Sequence, residues 1–271
     1  HRMNVIDRNN VRISGHGPQA LVFAHGFGCD QHMWRFVAPA FERDHRVVLF
    51  DYVGAGRSQL SAYDPQRYAT LDGYARDLIE VIDAAGAAPA TVVAHSVSSM
   101  VAVLAARAAP GRIGRLVLIG PSPRYVNEHP AYVGGFERAD IEGLLDLMER
   151  NHLGWAAALA PAVMKNPERP ALTEELERSF CAMEPEIGRR FARVTFLSDN
   201  RADLAAVQVP TLILQCADDA IAPDAVGEFV HRHIAGSTLR RMQATGHCPH
   251  MSHPDETLAL IRAWLDGRDG P

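Results

Sequence analysis

The chain has 271 residues, of which 47% are hydrophobic and 22% charged, and a formal net charge of −5. This is the composition of an ordinary globular protein, long enough for one large α/β domain or two small ones. The negative charge and the lack of a basic patch argue against nucleic acid and membranes as partners. We expect a cytoplasmic protein, because no signal-peptide pattern or membrane-spanning run is seen and the four cysteines lack paired spacing.

Short apolar runs alternate with helix-type segments in the first part of the chain. The apolar runs predict strands at 20–24, 46–50, 90–94 and 116–119. The segments between them predict helices at 33–41, 71–85 and 98–109. This alternation is typical of a mostly parallel, doubly wound α/β sheet.

Strand patterns disappear between residues 124 and 200, where the sequence predicts only helices. Four are expected, at 136–148, 155–164, 173–183 and 185–197. The alternation then returns, with strands at 211–216 and 238–242 and helices at 223–233 and 255–266. We interpret 1–123 and 201–271 as one α/β core and 124–200 as a helical cap, inserted after the sixth strand above the strand carboxyl ends. The alternative is a separate helical domain with no role in the site.

The junction near residue 96 predicts a nucleophile. An apolar strand runs into Ser96 and a helix follows without a loop, so the serine lies on a tight strand-to-helix turn. This is the nucleophile elbow of the α/β-hydrolase fold, usually written G-x-S-x-G. Here Ala94 and Ser98 replace the two glycines, and both are small. The motif is weak alone, since a serine that caps a buried helix has the same pattern.

An acid and a base follow in the order that this fold requires. Asp219 comes after the strand 211–216 and His247 after the strand ending at residue 242, so the chain order is Ser, Asp, His. We predict Ser96 as nucleophile, His247 as base and Asp219 as the acid that orients it. The neighbouring Asp218 is the alternative acid.

Two backbone N–H groups are predicted to form an oxyanion hole. Val97 follows the nucleophile, and Phe27 lies in the loop after the strand 20–24, the two places from which this fold supplies its donors.

Seven segments carry a resemblance to a known family. They are 25–30 (HGFGCD), 51–56 (DYVGAG), 95–98 (HSVS), 120–123 (GPSP), 134–137 (GGFE), 214–219 (LQCADD) and 246–254 (GHCPHMSHP). Together they resemble the bacterial stress-signalling hydrolases of the RsbQ family, whose wider group includes the plant strigolactone and karrikin receptors.

The resemblance covers nearly the whole chain. It implies a V-shaped cap of four helices, the triad Ser96, Asp219 and His247, and a deep apolar pocket. The positions that match the family's pocket are Phe27, Tyr125, Phe136, Trp155, Val194 and Phe196. Two departures stand out: Ala94 replaces the glycine before the elbow, and Leu159 stands where relatives often have an aromatic residue.

Other readings of these motifs are weaker. His247, Cys248, His250 and His253 could pass for metal ligands, but no second cluster completes such a site. A dinucleotide fingerprint after residue 26 lacks its third glycine, because Gln31 stands there. We therefore expect no metal and no cofactor.

The predicted function is that of a serine hydrolase acting on a small hydrophobic ester or lactone. The resemblance implies an alternative, in which ligand binding or slow hydrolysis regulates a partner protein such as a stress-response phosphatase. A cofactor-free haloperoxidase or C–C hydrolase on the same fold is a third possibility.

Overall fold

A computed structural model describes residues 4–268 and shows one seven-stranded sheet. The strand order is β1-β3-β2-β4-β5-β6-β7, and all neighbours pair in parallel except β1 and β3. The strands are β1 (Arg12–Gly15), β2 (Ala20–Ala24), β3 (Arg46–Leu49), β4 (Ala90–His95), β5 (Ile113–Ile119), β6 (Thr211–Ala217) and β7 (Thr238–Thr245). β4 lies in the middle of the sheet, so the residue that follows it is at the centre of the carboxyl edge.

Both faces of the sheet are buried, which explains the continuous apolar runs of its central strands. Successive side chains of a strand point to opposite faces. In β2, Leu21 and Phe23 belong to one hydrophobic cluster, while Val22 and Ala24 belong to the other. The predicted α/β fold with a mostly parallel sheet is confirmed.

Ten α-helices are described between residues 4 and 268. They are α1 (Val5–Arg8), α2 (Leu71–Ala84), α3 (Val97–Ala108), α4 (Arg138–Arg150), α5 (His152–Met164), α6 (Pro170–Ala182), α7 (Pro185–Leu197), α8 (Asp224–His233), α9 (Pro249–Ser252) and α10 (Pro254–Leu265). None of the helices in this part of the chain is long and apolar enough to span a membrane.

Helices α4 to α7 occupy the strand-free stretch and pack against one another, α4 against α5 and α7, and α5 against α6. These helices follow β5, the fifth strand of the described sheet. The cap was expected after a sixth strand, so its predicted place in the strand order is one strand too late. Buried residues of these helices, such as Trp155 and Phe180, share one cluster with Phe23 on the sheet. The domain limits 1–123, 124–200 and 201–271 stay a prediction, and residues 1–3 and 269–271 lie outside the described part.

Two local predictions differ from the structure. The expected helix 33–41 is two short 3₁₀ helices, Gln31–Trp34 and Ala38–Phe41, because Pro39 has no N–H to continue an α-helical ladder. Strand β1 was missed. It is an antiparallel edge strand with three exposed residues, so it lacks the apolar run of a buried strand.

Candidate active site

Ser96 lies on a strained turn between β4 and α3. Its backbone has φ 57° and ψ −120°, a left-handed conformation that costs a non-glycine residue about 1–3 kcal/mol. The N–H of Ser96 donates to the carbonyl of Ile119 at 2.9 Å, which continues the β4–β5 ladder through the turn. The serine side chain is thereby held at the central carboxyl edge of the sheet, although Ala94 and Ser98 replace the usual glycines.

His247 connects Ser96 to Asp219. The Nε2 atom of His247 lies 2.7 Å from Ser96 Oγ, and its Nδ1 lies 2.7 Å from Asp219 Oδ2. With Nδ1–H donating to the carboxylate, Nε2 is free to accept the serine proton. The structure therefore brings together the three side chains that the sequence predicted as a triad.

Asp219 is fixed as the carboxylate partner by its own hydrogen bonds. Its Oδ1 accepts from the N–H groups of Ile221 and Ala222 at 2.8 and 2.9 Å. Burial opposes ionisation, but the charge and hydrogen bond of His247 and these two N–H groups outweigh it and lower the pKa of Asp219. The side chain of Asp218, by contrast, is 72% exposed and lies 3.9 Å from Lys165 Nζ.

The backbone of His247 is anchored from two sides. Its N–H donates to the carbonyl of Val163 on α5 at 2.9 Å, and its carbonyl accepts from His95 Nε2 at 2.7 Å. Burial and the nearby His247 lower the pKa of His95 to about 3, so this ring is neutral. We conclude that the hydrogen bond from His95 helps to hold the backbone of His247 in place.

A hydrogen-bond bridge joins the elbow to the loop after β2. Ser98 donates to the carbonyl of His25, and the hydroxyl of Tyr52 lies 2.6 Å from Ser98 Oγ, where it can donate. His25 accepts the Tyr52 N–H at Nε2, and its Nδ1 lies 2.9 Å from the carbonyl of Gly26. Phe27, a predicted oxyanion donor, follows in this loop. Val97, the other predicted donor, is the first residue of α3, where N–H groups lack a partner within the helix.

Ser96 and His247 face a small cavity of about 40 Å³. Three of the six residues expected in the pocket line it: Phe27, Tyr125 and Phe196. The Tyr125 hydroxyl lies 3.5 Å from Ser96 Oγ, and burial raises the pKa of Tyr125 to about 12, so the phenol is neutral. Most known ligand pockets are about 300–1,000 Å³, so the space beside Ser96 is small for a substrate-binding pocket.

The other three expected pocket residues lie away from the cavity wall. Trp155 packs edge-on against Phe27, with 6.0 Å between ring centroids, and Phe136 packs behind Tyr125 at 6.4 Å. Val194 is half-buried against the opposite hydrophobic cluster. Their contact with a substrate stays a prediction.

Seven lining residues were not predicted from the sequence. They are Cys29, Val163, Leu176, Phe180, Thr195, Ile221 and Cys248. Leu159, the departure noted in the sequence, also lines the cavity, as does His95. Helical spacing places Thr195 on the buried face of α7, whose buried positions are 188, 191, 192, 195 and 196, although a threonine adds no hydrophobic signal of its own. Residue 194 falls outside that face.

Two larger clefts, of about 640 and 560 Å³, are lined by neither Ser96 nor His247. They share Asp30, His32, Gly56 and Arg57. Within residues 4–268, no group of three or more His, Cys, Asp or Glu side chains is placed to hold a metal ion.

The fold and the site geometry are those of an α/β-hydrolase, and the comparison with known families agrees. Residues 21–260 match the model of the alpha/beta hydrolase family, so the chain belongs to this family.

Relatives of known name extend along nearly the whole chain. It is 37% identical to strigolactone esterase D14 of Arabidopsis thaliana, over 97% of this chain and 98% of the relative. It is 36% identical to karrikin insensitive 2 receptor CA of Petunia hybrida, over 95% of each. A hydrolase from Oleispira antarctica superposes with a TM-score of 0.94 at 42% identity, covering 97% of this chain and 96% of that one. The resemblance to the strigolactone and karrikin group is confirmed, and a particular closeness to RsbQ stays a prediction.

Proposed function

We propose that this protein is a serine hydrolase that cleaves small hydrophobic esters or lactones, with Ser96 as the nucleophile. The observation that carries the proposal is the unbroken hydrogen-bond chain from Asp219 through His247 to Ser96 Oγ, which ends in a small and mostly apolar cavity. The name of the Arabidopsis relative, a strigolactone esterase, supports the same class of substrate.

The reaction is acyl transfer in two halves. His247 Nε2 takes the proton of Ser96 as Oγ bonds to the substrate carbonyl carbon, and Asp219 stabilises the imidazolium. The ester bond breaks, and His247 gives its proton to the leaving oxygen, which in a lactone stays attached to the acyl chain. Water then attacks the acyl-enzyme with His247 again as base, releasing the acid and restoring the serine.

The backbone N–H groups of Phe27 and Val97 are proposed to hold the oxyanion. Losing one such donor typically costs about 3–4 kcal/mol of transition-state stabilisation. The bridge through Ser98 supports this assignment, because it ties the Phe27 loop to the helix that begins at Val97. Rigid placement of donors is what makes them effective.

The pocket and the cellular location are part of the proposal. Phe27, Tyr125 and Phe196 would contact the substrate directly, and Phe136, Trp155 and Val194 would do so only after the cap moves. The free state of Cys29, Cys181, Cys216 and Cys248 supports a reducing compartment, and we propose the cytoplasm.

The test combines turnover with intact-protein mass spectrometry. We expect the wild type to hydrolyse p-nitrophenyl acetate repeatedly, and a fluorophosphonate to add one equivalent at Ser96. Ser96→Ala and His247→Ala should remove nearly all activity, and Ser96→Ala should also abolish labelling.

Labelling or hydrolysis that survives Ser96→Ala would refute the proposal. A wild-type protein that stays acylated after one cycle would instead support the regulatory alternative, in which a loaded receptor acts on a partner.

A further inference from the structure

Thr195 is a polar residue on the cavity wall whose hydroxyl has no hydrogen-bond partner. It lies on α7, is only 2% exposed, and lines the same cavity as Ser96 and His247. A threonine inside a helix commonly donates to the carbonyl four residues earlier. Within residues 4–268, the Thr195 hydroxyl makes neither this bond nor any other.

Most of the other polar side chains of the wall have hydrogen-bond partners, although Nδ1 of His95 has none among the described residues. Ser96 bonds to His247, His95 bonds to the backbone carbonyl of residue 247, and the Tyr125 hydroxyl lies 3.5 Å from Ser96 Oγ. Much of the remaining wall is aliphatic or aromatic, formed by Phe27, Leu159, Val163, Phe180, Phe196 and Ile221. A buried hydroxyl without a partner is unfavourable, so natural proteins usually satisfy such groups.

We propose that Thr195 determines substrate specificity by hydrogen bonding to an oxygen atom within the acyl group of the substrate. The inference rests on the proposed function, because the acyl group is the part that becomes bonded to Ser96 and so stays in this cavity. Small acyl groups that carry an ether, hydroxyl or carbonyl oxygen beyond the reacting carbonyl are therefore preferred over plain alkyl chains.

The two kinds of acyl group differ in what they do to the Thr195 hydroxyl. A methylene placed against Thr195 leaves the hydroxyl buried and unpaired, whereas an oxygen at the same position satisfies it. Sites built to hydrogen-bond a substrate discriminate strongly against analogues that lack the partner atom.

The experiment compares two esters of equal length, p-nitrophenyl methoxyacetate and p-nitrophenyl butyrate, which differ by an oxygen in place of one methylene. For each enzyme, kcat/KM is measured for both, and the ratio methoxyacetate to butyrate is taken. The intrinsic reactivity of the esters cancels when the ratios of two enzymes are compared.

We expect Thr195→Val to lower this ratio by about five- to tenfold, through a slower methoxyacetate reaction and a faster butyrate reaction. Thr195→Ser keeps the hydroxyl and should keep most of the ratio. Thr257→Val is the matched control, because Thr257 is also a buried helical threonine, but its hydroxyl donates to the carbonyl of His253.

The outcomes separate the two proposals. Ser96-dependent hydrolysis of both esters with an unchanged ratio in Thr195→Val would overturn the role of Thr195 alone. Hydrolysis of neither ester, or hydrolysis that survives Ser96→Ala, would overturn the proposed function and this inference with it. The role of Thr195 would also be rejected if Thr257→Val lowered the methoxyacetate-to-butyrate ratio as much as Thr195→Val does.

Discussion

The imidazole of His247 lies directly against Gly120. A Cβ atom on Gly120 would be 2.9 Å from Cε1 of His247, closer than real Cβ contacts come, and 3.1 Å from its Nδ1, which is tighter than most. Gly120 also has a φ of +59°, which a glycine adopts without strain. Gly120, the residue after β5, therefore leaves room for the imidazole of His247 because it has no side chain.

We expect Gly120→Ala to lower kcat/KM by at least tenfold, because the methyl group pushes His247 away from Ser96 and Asp219. The matched control is Gly86→Ala, since Gly86 has a φ of +60° and nothing within 4 Å of a new Cβ. Both variants pay the backbone penalty, on the order of 1–2 kcal/mol in the free energy of unfolding. Ester kinetics and urea unfolding are measured together. Equal kinetic losses in the two variants would show that the contact with His247 is irrelevant.

Asp219 and Asp218 are adjacent in sequence but differ in environment. We expect Asp219→Asn to reduce kcat by a factor on the order of 10³–10⁴, because an amide can hold the wrong tautomer of His247 and cannot stabilise its charge. Asp218→Asn should leave kcat within about twofold, since its exposed, 3.9 Å contact with Lys165 is weak. Steady-state hydrolysis of p-nitrophenyl acetate checks both variants, and a larger loss in Asp218→Asn would reverse the assignment of the acid.

The width of the cavity should depend on Leu159 and not on Val194. Both are half-buried aliphatic residues of the helical region, but only Leu159 lines the cavity. We expect Leu159→Ala to shift the preferred p-nitrophenyl ester toward longer acyl chains, because the change removes an isopropyl group from the wall. Val194→Ala should keep the wild-type chain-length profile. A shift in Val194→Ala would instead support the sequence-based prediction that residue 194 contacts the substrate.

Buried histidines should make the protein sensitive to mild acid. Burial, with the nearby His95 and His247, holds the pKa of His250 well below its usual 6.5, and neither of its ring nitrogens has a partner within residues 4–268. The unfolded chain binds a proton as pH falls through about 6.5 and the folded chain does not, so stability is complete above that pH and is lost below it. The loss for one such ring is roughly 1.4 kcal/mol per pH unit.

His250→Phe should reduce the loss of unfolding free energy at low pH by the contribution of this one imidazole. It should also keep the packing against Trp34, whose ring centroid lies 4.6 Å from that of His250. Urea unfolding at pH 7, 6 and 5 measures the slope. His16→Phe, at an exposed position, is the control and should retain the wild-type slope. A slope unchanged in His250→Phe would show that the buried ring does not contribute.

The triad geometry was predictable because it follows from topology. Ser96, Asp219 and His247 each come after a parallel strand, and such strand ends meet at one edge of the sheet. Only local sequence and chain order were needed to place three residues up to 151 positions apart within hydrogen-bond distance. The choice between Asp218 and Asp219 depends on one step of loop register, which the structure supplies through the N–H groups of Ile221 and Ala222.

The cavity wall was less predictable because it depends on how helices rotate and pack. Trp155 is buried and Phe136 is partly buried. An aromatic residue in the sequence gives no sign of whether its ring will line the cavity or pack behind the residues that do. On α7 the buried stripe includes Thr195 and excludes Val194, a difference of one residue that turns a side chain by about 100°. Polarity misleads here, because a threonine on an apolar face gives no hydrophobic signal.

The chamber above Ser96 holds about 40 Å³, which has a consequence for the second half of the reaction. Deacylation needs one water molecule beside the acyl carbonyl, and a water requires some 10–15 Å³ of such space. Under the proposed function, a short acyl group would leave that room, whereas a group that fills the cavity would keep water out and stay bonded to Ser96. The size of the acyl group would then set the lifetime of the acyl-enzyme, short for one ester and long for another.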